Sequence, residues 1–343
     1  MSLILFLVAV IWFGGAWLST PRGVRLSGIG ILLGAVLLGH VILPDRHPVR
    51  ELTGGSAAPW LVLGLLALII WSYTVFLARI RRKAGGEPTQ TTSVTSELER
   101  NARHIVLREI GGPGQKRLKN AKVLVIGAGG LGSPVLSYLA AAGIGTIGVI
   151  DDDVVDNSNL QRQVIHDDAD IGRPKVQSAL DSMTAQNPHV NVRPYKRRLT
   201  EDIAADLFAE YDLILDGTDN FETRYLANRA AVKTGRPLIS GALSQWEGQV
   251  SLFHPADDAP CYQCVFPKAP EAGLAPSCAE AGVVGPLPGV VGSMMAVEAI
   301  KELAGAGEGL RGRMLIYDAL FAEVRTIKIS RRENCETCGG IRI

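Results

Sequence analysis

The chain has 343 residues, with 35 lysines and arginines against 34 aspartates and glutamates, a formal net charge of +1. That balance gives no electrostatic reason to expect a nucleic acid or another strongly charged partner. The length suggests roughly two domains. The hydrophobic content of 47% is unevenly spread and is densest near the start.

Three apolar runs precede residue 79: Leu3 to Leu18, Leu26 to Leu43 and Trp60 to Ala78. The second and third carry no charge and approach the ~20 residues that cross a bilayer. The first lacks a basic leader and a small-x-small cleavage site before Pro21, so it reads as a retained anchor rather than a signal peptide. The expectation is a membrane region over 1–83, with spans at about 3–18, 26–43 and 60–78; a buried soluble hairpin is the rival. Arg22 and Arg25, and the block Arg79, Arg81, Arg82 and Lys83, fall on one side of three spans. That side, with everything C-terminal to it, is predicted to be cytoplasmic, giving a multi-pass protein with a cytoplasmic C-terminal domain. Trp12, Trp17, Trp60 and Trp71 add amphipathic rings, some near the predicted interfaces. Residues 84–96, AGGEPTQTTSVTS, read as a flexible linker, and no internal repeat is visible.

Residues 97–343 read as the second domain. Glu97 to Ile110 has helical apolar spacing and carries Arg100 and Arg103 on one exposed side. Then comes a buried-strand pattern, Val123 to Ile126, and a glycine turn, Gly127-Ala128-Gly129-Gly130-Leu131-Gly132. A helical run from Val135 to Ala142 and a second strand, Ile147 to Ile150, complete a βαβ unit that ends in Asp151-Asp152-Asp153. Glycines let backbone approach a phosphate, and the following helix offers unpaired N–H groups and the positive end of its dipole. Asp151, 24 residues past Gly127, is placed to bind ribose hydroxyls. Alone, this fingerprint is weak, and its default reading is an NAD-dependent oxidoreductase.

The loop after the acid changes that reading. Ser158-Asn159-Leu160-Gln161-Arg162-Gln163 is dense in polar and cationic groups. The glycine turn together with this loop resembles the ubiquitin-activating-enzyme-like (ThiF/MoeB/HesA) adenylating family. Within it, the nearest likeness is to the molybdopterin-synthase and sulfur-carrier-protein adenylyltransferases. The resemblance runs from about Leu98 to Cys338. It implies a Rossmann-like, doubly wound, mostly parallel sheet that continues into antiparallel strands. It implies ATP and Mg²⁺ as cofactors, a homodimer, and a small β-grasp carrier protein ending in Gly-Gly as partner. No downstream sulfur-transfer domain is seen, so a sulfur donor in trans is expected.

The rest of the chain adds residues to that picture. Pro174 suits the first position of a helix and Lys175 its first turn, where a cation is disfavoured unless an anion is bound. The resemblance assigns Lys175 to the phosphates of ATP; a surface lysine is the alternative. His166, in the same connection, reads as structural. Val190 to Pro194 reads as a strand, Glu201 to Phe208 as a helix and Tyr211 to Asp216 as a buried strand. That strand delivers Asp216-Gly217-Thr218-Asp219-Asn220 at its carboxyl end, where doubly wound sheets bind ligands. The resemblance makes Asp219 the Mg²⁺-linked carboxylate with Asn220 beside it; otherwise Asp219 caps the next helix. Arg103 matches an arginine that reaches the neighbouring subunit's nucleotide, although Asn101 and His104 depart from the family's usual neighbours. Further strands are expected at Pro237 to Ser240, Gly248 to Phe253 and Tyr317 to Ile329, with a helix over Val290 to Leu303.

Four of the five cysteines form two CxxC pairs, Cys261–Cys264 and Cys335–Cys338, which suit a Zn²⁺ clasp. A redox disulfide is the rival, and it is disfavoured in a reducing compartment. The fifth, Cys278, lies in a glycine- and proline-rich stretch. A lone cysteine is more often a small buried hydrophobe, but the resemblance makes Cys278 a thioester or sulfur-relay nucleophile. The implied reaction is adenylation of the carrier's C-terminal glycine carboxylate, for molybdopterin- or thiamine-type cofactor synthesis. Three alternatives stand beside it: the oxidoreductase, a tRNA-modifying ATP-dependent dehydratase sharing the nucleotide site, and a non-enzymatic membrane adaptor.

Overall fold

The computed structural model describes all residues except 1, 19, 45–46, 55, 57, 85–92, 272–280 and 341–343. The chain divides into two compact units, 1–91 and 92–343.

In the first unit the leading apolar run is helical but not uniform. Ser2–Ala9 passes into a π-helical turn, Val10–Gly14, and then into Gly15–Trp17. Helices Arg22–Ile42, Pro48–Thr53 and Ala58–Ala84 follow. Among the described residues one helix, Gly23–Ile42, is long and apolar enough to cross a membrane. The expectation of three spans is therefore not met: among the described residues one helix has the length and composition for it. The first run supplies only Phe6–Trp17 as continuous apolar helix, about 18 Å at 1.5 Å per residue, short of the ~30 Å hydrocarbon core. The orientation argument required three spans and lapses with them. Trp60, one of the four tryptophans noted for their amphipathic rings, is 3% exposed, packs with Ile4 and Val36, and donates its indole N–H to the Thr53 carbonyl at 2.9 Å. The linker expected over 84–96 lies largely outside the described residues; its last four positions begin the helix Ser93–Ile105.

The second unit is built on an eight-stranded sheet in the order β3-β2-β1-β4-β5-β6-β7-β8. The strands are β1 (Lys122–Ile126), β2 (Thr146–Ile150), β3 (Asn191–Tyr195), β4 (Leu213–Asp216), β5 (Leu238–Leu243), β6 (Glu247–Phe253), β7 (Arg313–Asp318) and β8 (Glu323–Lys328). The first five are parallel and the last three antiparallel, as the Rossmann-like reading required. Side chains alternate across β1, so Val123 and Val125 enter one core while Leu124 and Ile126 enter the other. The first core is closed by helices Gly132–Ala141, Lys175–Gln186 and Pro286–Ala304, and the second by Glu201–Ala209 and Phe221–Thr234. With both faces covered, the central strands are apolar throughout. The expected helix Glu97–Ile110 ends at Ile105, and a separate helix, Gly111–Asn120, follows. Its GGPG opening reads as a turn in sequence, but burial of Gln115 and Leu118 against the sheet unit makes it helical.

Candidate functional site

The carboxyl ends of β1, β2 and β4 open onto a cleft of about 680 Å³. Its floor is the glycine turn. Gly127 has φ +92°, a region closed to most residues. A Cβ on Gly132 would lie 1.9 Å from the Gly127 carbonyl oxygen. Gly132 therefore shapes the turn and does not line the cleft, whereas Gly127, Gly129 and Gly130 do.

Asp151 also lines the cleft, but it is not a free carboxylate. It accepts the Ala128 N–H at 2.7 Å and the Asp153 N–H at 2.9 Å, so it clamps the glycine turn to the end of β2. Burial pushes its pKa up, against the pull of Lys175 and those two N–H groups. The next loop is shaped by Asp156, which accepts from both the N–H and the hydroxyl of Ser158 at 2.8 and 2.5 Å. Ser158, expected at the nucleotide, shapes this loop and is not among the residues lining the cleft. Asn159, Arg162 and Gln163 do line it. Arg162 is steadied by the Ser158 carbonyl at 3.2 Å. Gln163 is 4% exposed, and among the described residues its Oε1 has no partner, a buried acceptor that a ligand donor would satisfy.

Lys175 begins its helix with Pro174 at the cap position just before it, one place earlier than expected. Its ammonium lies 2.8 Å from Asp153 on the cleft wall. Across the cleft, Asp216 is fully buried. It accepts from the Thr218 N–H and hydroxyl, with the Arg224 guanidinium 3.8 Å away. The helix after β4 is capped by Asn220, which accepts the Thr223 N–H at 2.9 Å. The cap assigned to Asp219 as an alternative thus belongs to Asn220. The Asp219 carboxylate is exposed and, among the described residues, has no hydrogen-bond or ion-pair partner.

One cleft therefore gathers Gly127, Gly129, Gly130, Asp151, Asn159, Arg162, Gln163, Lys175, Asp219 and Asn220. Arg103 is exposed on Ser93–Ile105 and does not line its own chain's cleft. Cys278 lies outside the described residues. Sequence reasoning missed Arg197, Arg198 and Leu199 after β3, and Tyr262, Phe266 and Lys268. The first three were legible in principle, because β3 neighbours β2 and its end must meet the same crevice. The others arrive through the cysteine clasp.

That clasp is the second feature. Cys261, Cys264, Cys335 and Cys338 are buried and unbridged, with all four sulfurs within 4.8 Å of one another. The closest pairs, Cys261–Cys335, Cys264–Cys338 and Cys261–Cys264, are 3.6, 3.4 and 3.8 Å apart. Tetrahedral Zn–S bonds of about 2.3 Å set sulfurs about 3.8 Å apart. Burial pushes the Cys261 thiol up and takes Cys338 to about 11, while backbone N–H groups bring Cys335 down to about 7 despite its burial. The Arg332 N–H at 3.4 Å from Cys264 and the Asn228 amide at 3.7 Å from Cys261 are donors suited to thiolates. The donor set fits zinc.

These features define a Rossmann-like α/β domain with a glycine-floored, cation-lined cleft and a four-cysteine clasp. The sequence profile of the ThiF family matches residues 101–337, and the chain belongs to that family. It is 55% identical over 250 residues to the probable adenylyltransferase/sulfurtransferase MoeZ of Mycobacterium tuberculosis, covering 71% of this chain and 63% of that protein. It is 51% identical over 247 residues to the sulfur carrier protein adenylyltransferase of Thermus thermophilus, covering 71% and 91%. It is 45% identical over 253 residues to the adenylyltransferase and sulfurtransferase MOCS3 of Bos taurus, covering 74% and 55%. The chain thus spans less than two thirds of the MoeZ and MOCS3 proteins. Among solved structures, E. coli MccB with ATP superposes with a TM-score of 0.58 at 24% identity, covering 66% of this chain and 70% of that one, a likeness of fold.

Proposed function

We propose that this protein is an ATP-dependent adenylyltransferase that activates the C-terminal glycine carboxylate of a small β-grasp sulfur carrier. The observation that carries the reading is the meeting of the glycine turn, Arg162, Lys175 and Asp219 in one cleft. A dinucleotide site needs the glycine turn and Asp151 but has no use for two further cations and an unpaired carboxylate on the phosphate side. The names of the relatives from Mycobacterium, Thermus and Bos support the same class.

In this reading the carrier's carboxylate oxygen attacks the α-phosphorus of ATP, and the bond to the β-phosphate bridging oxygen breaks. Pyrophosphate leaves, and the product is an acyl-adenylate. The work of the protein is positioning and charge stabilisation. N–H groups of the glycine turn approach the nucleotide, and Asp151 meets the ribose. Asn159, Arg162 and Lys175 stabilise negative charge on the phosphates, with Arg103 contributed by a second copy. Asp219 holds Mg²⁺, which neutralises phosphate charge when bound. Gln163 and Asn220 complete the lining. The Cys278 thiolate takes the acyl group from the adenylate as a thioester and AMP leaves; in the sulfur-relay alternative Cys278 hands on sulfur received from a donor in trans. The clasp cysteines hold Zn²⁺ and fix the wall that carries Tyr262 and Phe266.

The test is to incubate the full chain with ATP and a β-grasp protein ending in Gly-Gly, then weigh the carrier intact. A carrier heavier by one adenylyl group (AMP less water), or joined to the enzyme through a thioester, is expected, and a carrier lacking its last glycine should gain nothing. Unmodified carrier throughout would remove the adenylation step from the account.

A further inference from the structure

His166 is 5% exposed and lies behind the cleft, yet both its ring nitrogens are engaged. Nε2 is 2.9 Å from the Ala128 carbonyl oxygen in the glycine turn, and Nδ1 is 2.7 Å from the Ser178 hydroxyl. Ser178 stands about one turn past Lys175 on the helix Lys175–Gln186. A single imidazole therefore joins the two stretches of backbone that place the glycine turn and Lys175. The Ser178 hydroxyl is also 2.6 Å from Asp170, whose other oxygen pairs with Arg173.

Counting protons fixes the directions. A carbonyl only accepts, so Nε2 carries a hydrogen. Ser178 has one hydroxyl proton and two close partners. With a neutral ring, Nδ1 accepts the Ser178 proton, and Ser178 gives up the donation to Asp170 seen at 2.6 Å, a contact that must then lengthen. With a charged ring, Nδ1–H donates to Ser178, whose own proton turns to Asp170. The contact to Ala128 survives in both states. The charged groups acting on the ring are Asp170 from the turn before the helix, Lys175 from the helix, and Asp151 from the end of β2. Burial pushes the imidazole below its ordinary range, and Lys175 adds to this against Asp170 and Asp151. Asp170 would be raised by burial, but Ser178, the Asp167 N–H and Arg173 hold it below the usual carboxylate range.

We propose that His166 is a positioning residue for nucleotide binding: it is a strut that sets the gap between the glycine turn and the helix bearing Lys175, and the reversible Ser178 hydroxyl keeps the strut intact in either protonation state. The role rests on the cleft being an ATP site.

ATP affinity of the full-length protein, measured from about pH 5 to about pH 8, tests this with three variants. Ser178→Ala removes the group that selects the Nε2–H tautomer. Its neutral ring then turns an Nε2 lone pair toward the Ala128 carbonyl part of the time. Binding should weaken by about fivefold to tenfold at the upper end, the size of one lost hydrogen bond. The deficit should close as the pH falls, because a charged ring carries Nε2–H by necessity. His166→Gln, whose amide reaches Ala128 and does not titrate, should bind within about threefold of wild type at every pH. His166→Phe, which fills the space but donates nothing, should stay about tenfold weaker throughout. A Ser178→Ala deficit that ignores pH, or His166→Phe binding as well as His166→Gln, overturns the proposal in favour of packing alone. Nitrogen spectra of His166 in the wild type need no variant: the Nδ1–H tautomer near neutral pH would also overturn it. A wild type that binds no ATP at any pH contradicts the functional reading instead, and the spectra still decide the strut.

Discussion

The ammonium of Lys175 lies 2.8 Å from the Asp153 carboxylate, and the two side chains are very unequally buried, 6% exposed against 66%. A buried cation with a single exposed partner is poised to exchange that partner for a phosphate. Lys175→Met should lower carrier-dependent turnover at least about 100-fold, through lost charge stabilisation in the transition state. Asp153→Asn should act differently. It leaves a buried cation unpaired in the free protein, at a cost of about 2 kcal/mol, or a melting temperature lower by roughly 4–8 °C. Saturating ATP should restore most of that loss. Thermal melts with and without ATP check it, and an equal drop in both would place the lysine away from the nucleotide.

Asp216 and Asp219 are three residues apart and have opposite roles. Asp216 is fully buried and bonded to Thr218, beside the Arg224 guanidinium. Asp219 is exposed and has no partner among the described residues. Asp216→Asn should destabilise the fold by about 3 kcal/mol, since Arg224 loses its buried counter-charge. Asp219→Asn should leave the melting temperature within about 1 °C, as surface changes do, yet reduce turnover at least about 100-fold. Melting curves and rates measured on the same preparations separate the two.

The four clasp sulfurs, 3.4–3.8 Å apart in their closest pairs, cannot all ionise without a cation. Metal analysis should return one zinc per chain. Stripping it with a chelator should lower the melting temperature by about 10 °C, because Phe266 and the tail bearing Cys335 and Cys338 lose their anchor. Zinc competes with protons for the thiolates, and Cys261 and Cys338 still hold theirs above neutral pH, so affinity should fall steadily as the pH drops and fall more steeply below about 7, where Cys335 also takes up its proton. Full thermal stability in metal-free protein would contradict the clasp.

Gly132→Ala would drive a methyl group to 1.9 Å from the Gly127 carbonyl oxygen. The turn must shift, so ATP binding should fall at least about tenfold, with a stability loss of about 2 kcal/mol. Unchanged ATP affinity would show that the turn is not the nucleotide floor.

The parallel half of the sheet and most of the cleft were legible because their signals are local. Continuous apolar strands end in glycine or acid, and a doubly wound topology brings those ends together. What was not legible depends on contacts distant in sequence. Ser158 has a polar side chain in a polar loop, and only the structure shows that its N–H and hydroxyl are taken up by Asp156. Tyr262 and Phe266 reach the cleft because cysteines some 70 residues further along hold their segment in place. Helix capping by Asn220 rather than Asp219 is a difference of one residue that composition cannot resolve. In the first unit, hydropathy counted three runs, but the first, with a π-helical turn at Val10–Gly14 within it, supplies an apolar helix of only Phe6–Trp17, and periodicity does not report where such a helix ends.

The most direct measurement is carrier-dependent exchange of radiolabelled pyrophosphate into ATP by the full chain and by Arg162→Ala and Asp219→Ala. The account predicts exchange that needs both ATP and an intact Gly-Gly carrier, and its loss in each variant without loss of folding. Exchange that persists in both variants, or tight binding of NAD in place of ATP, would contradict it.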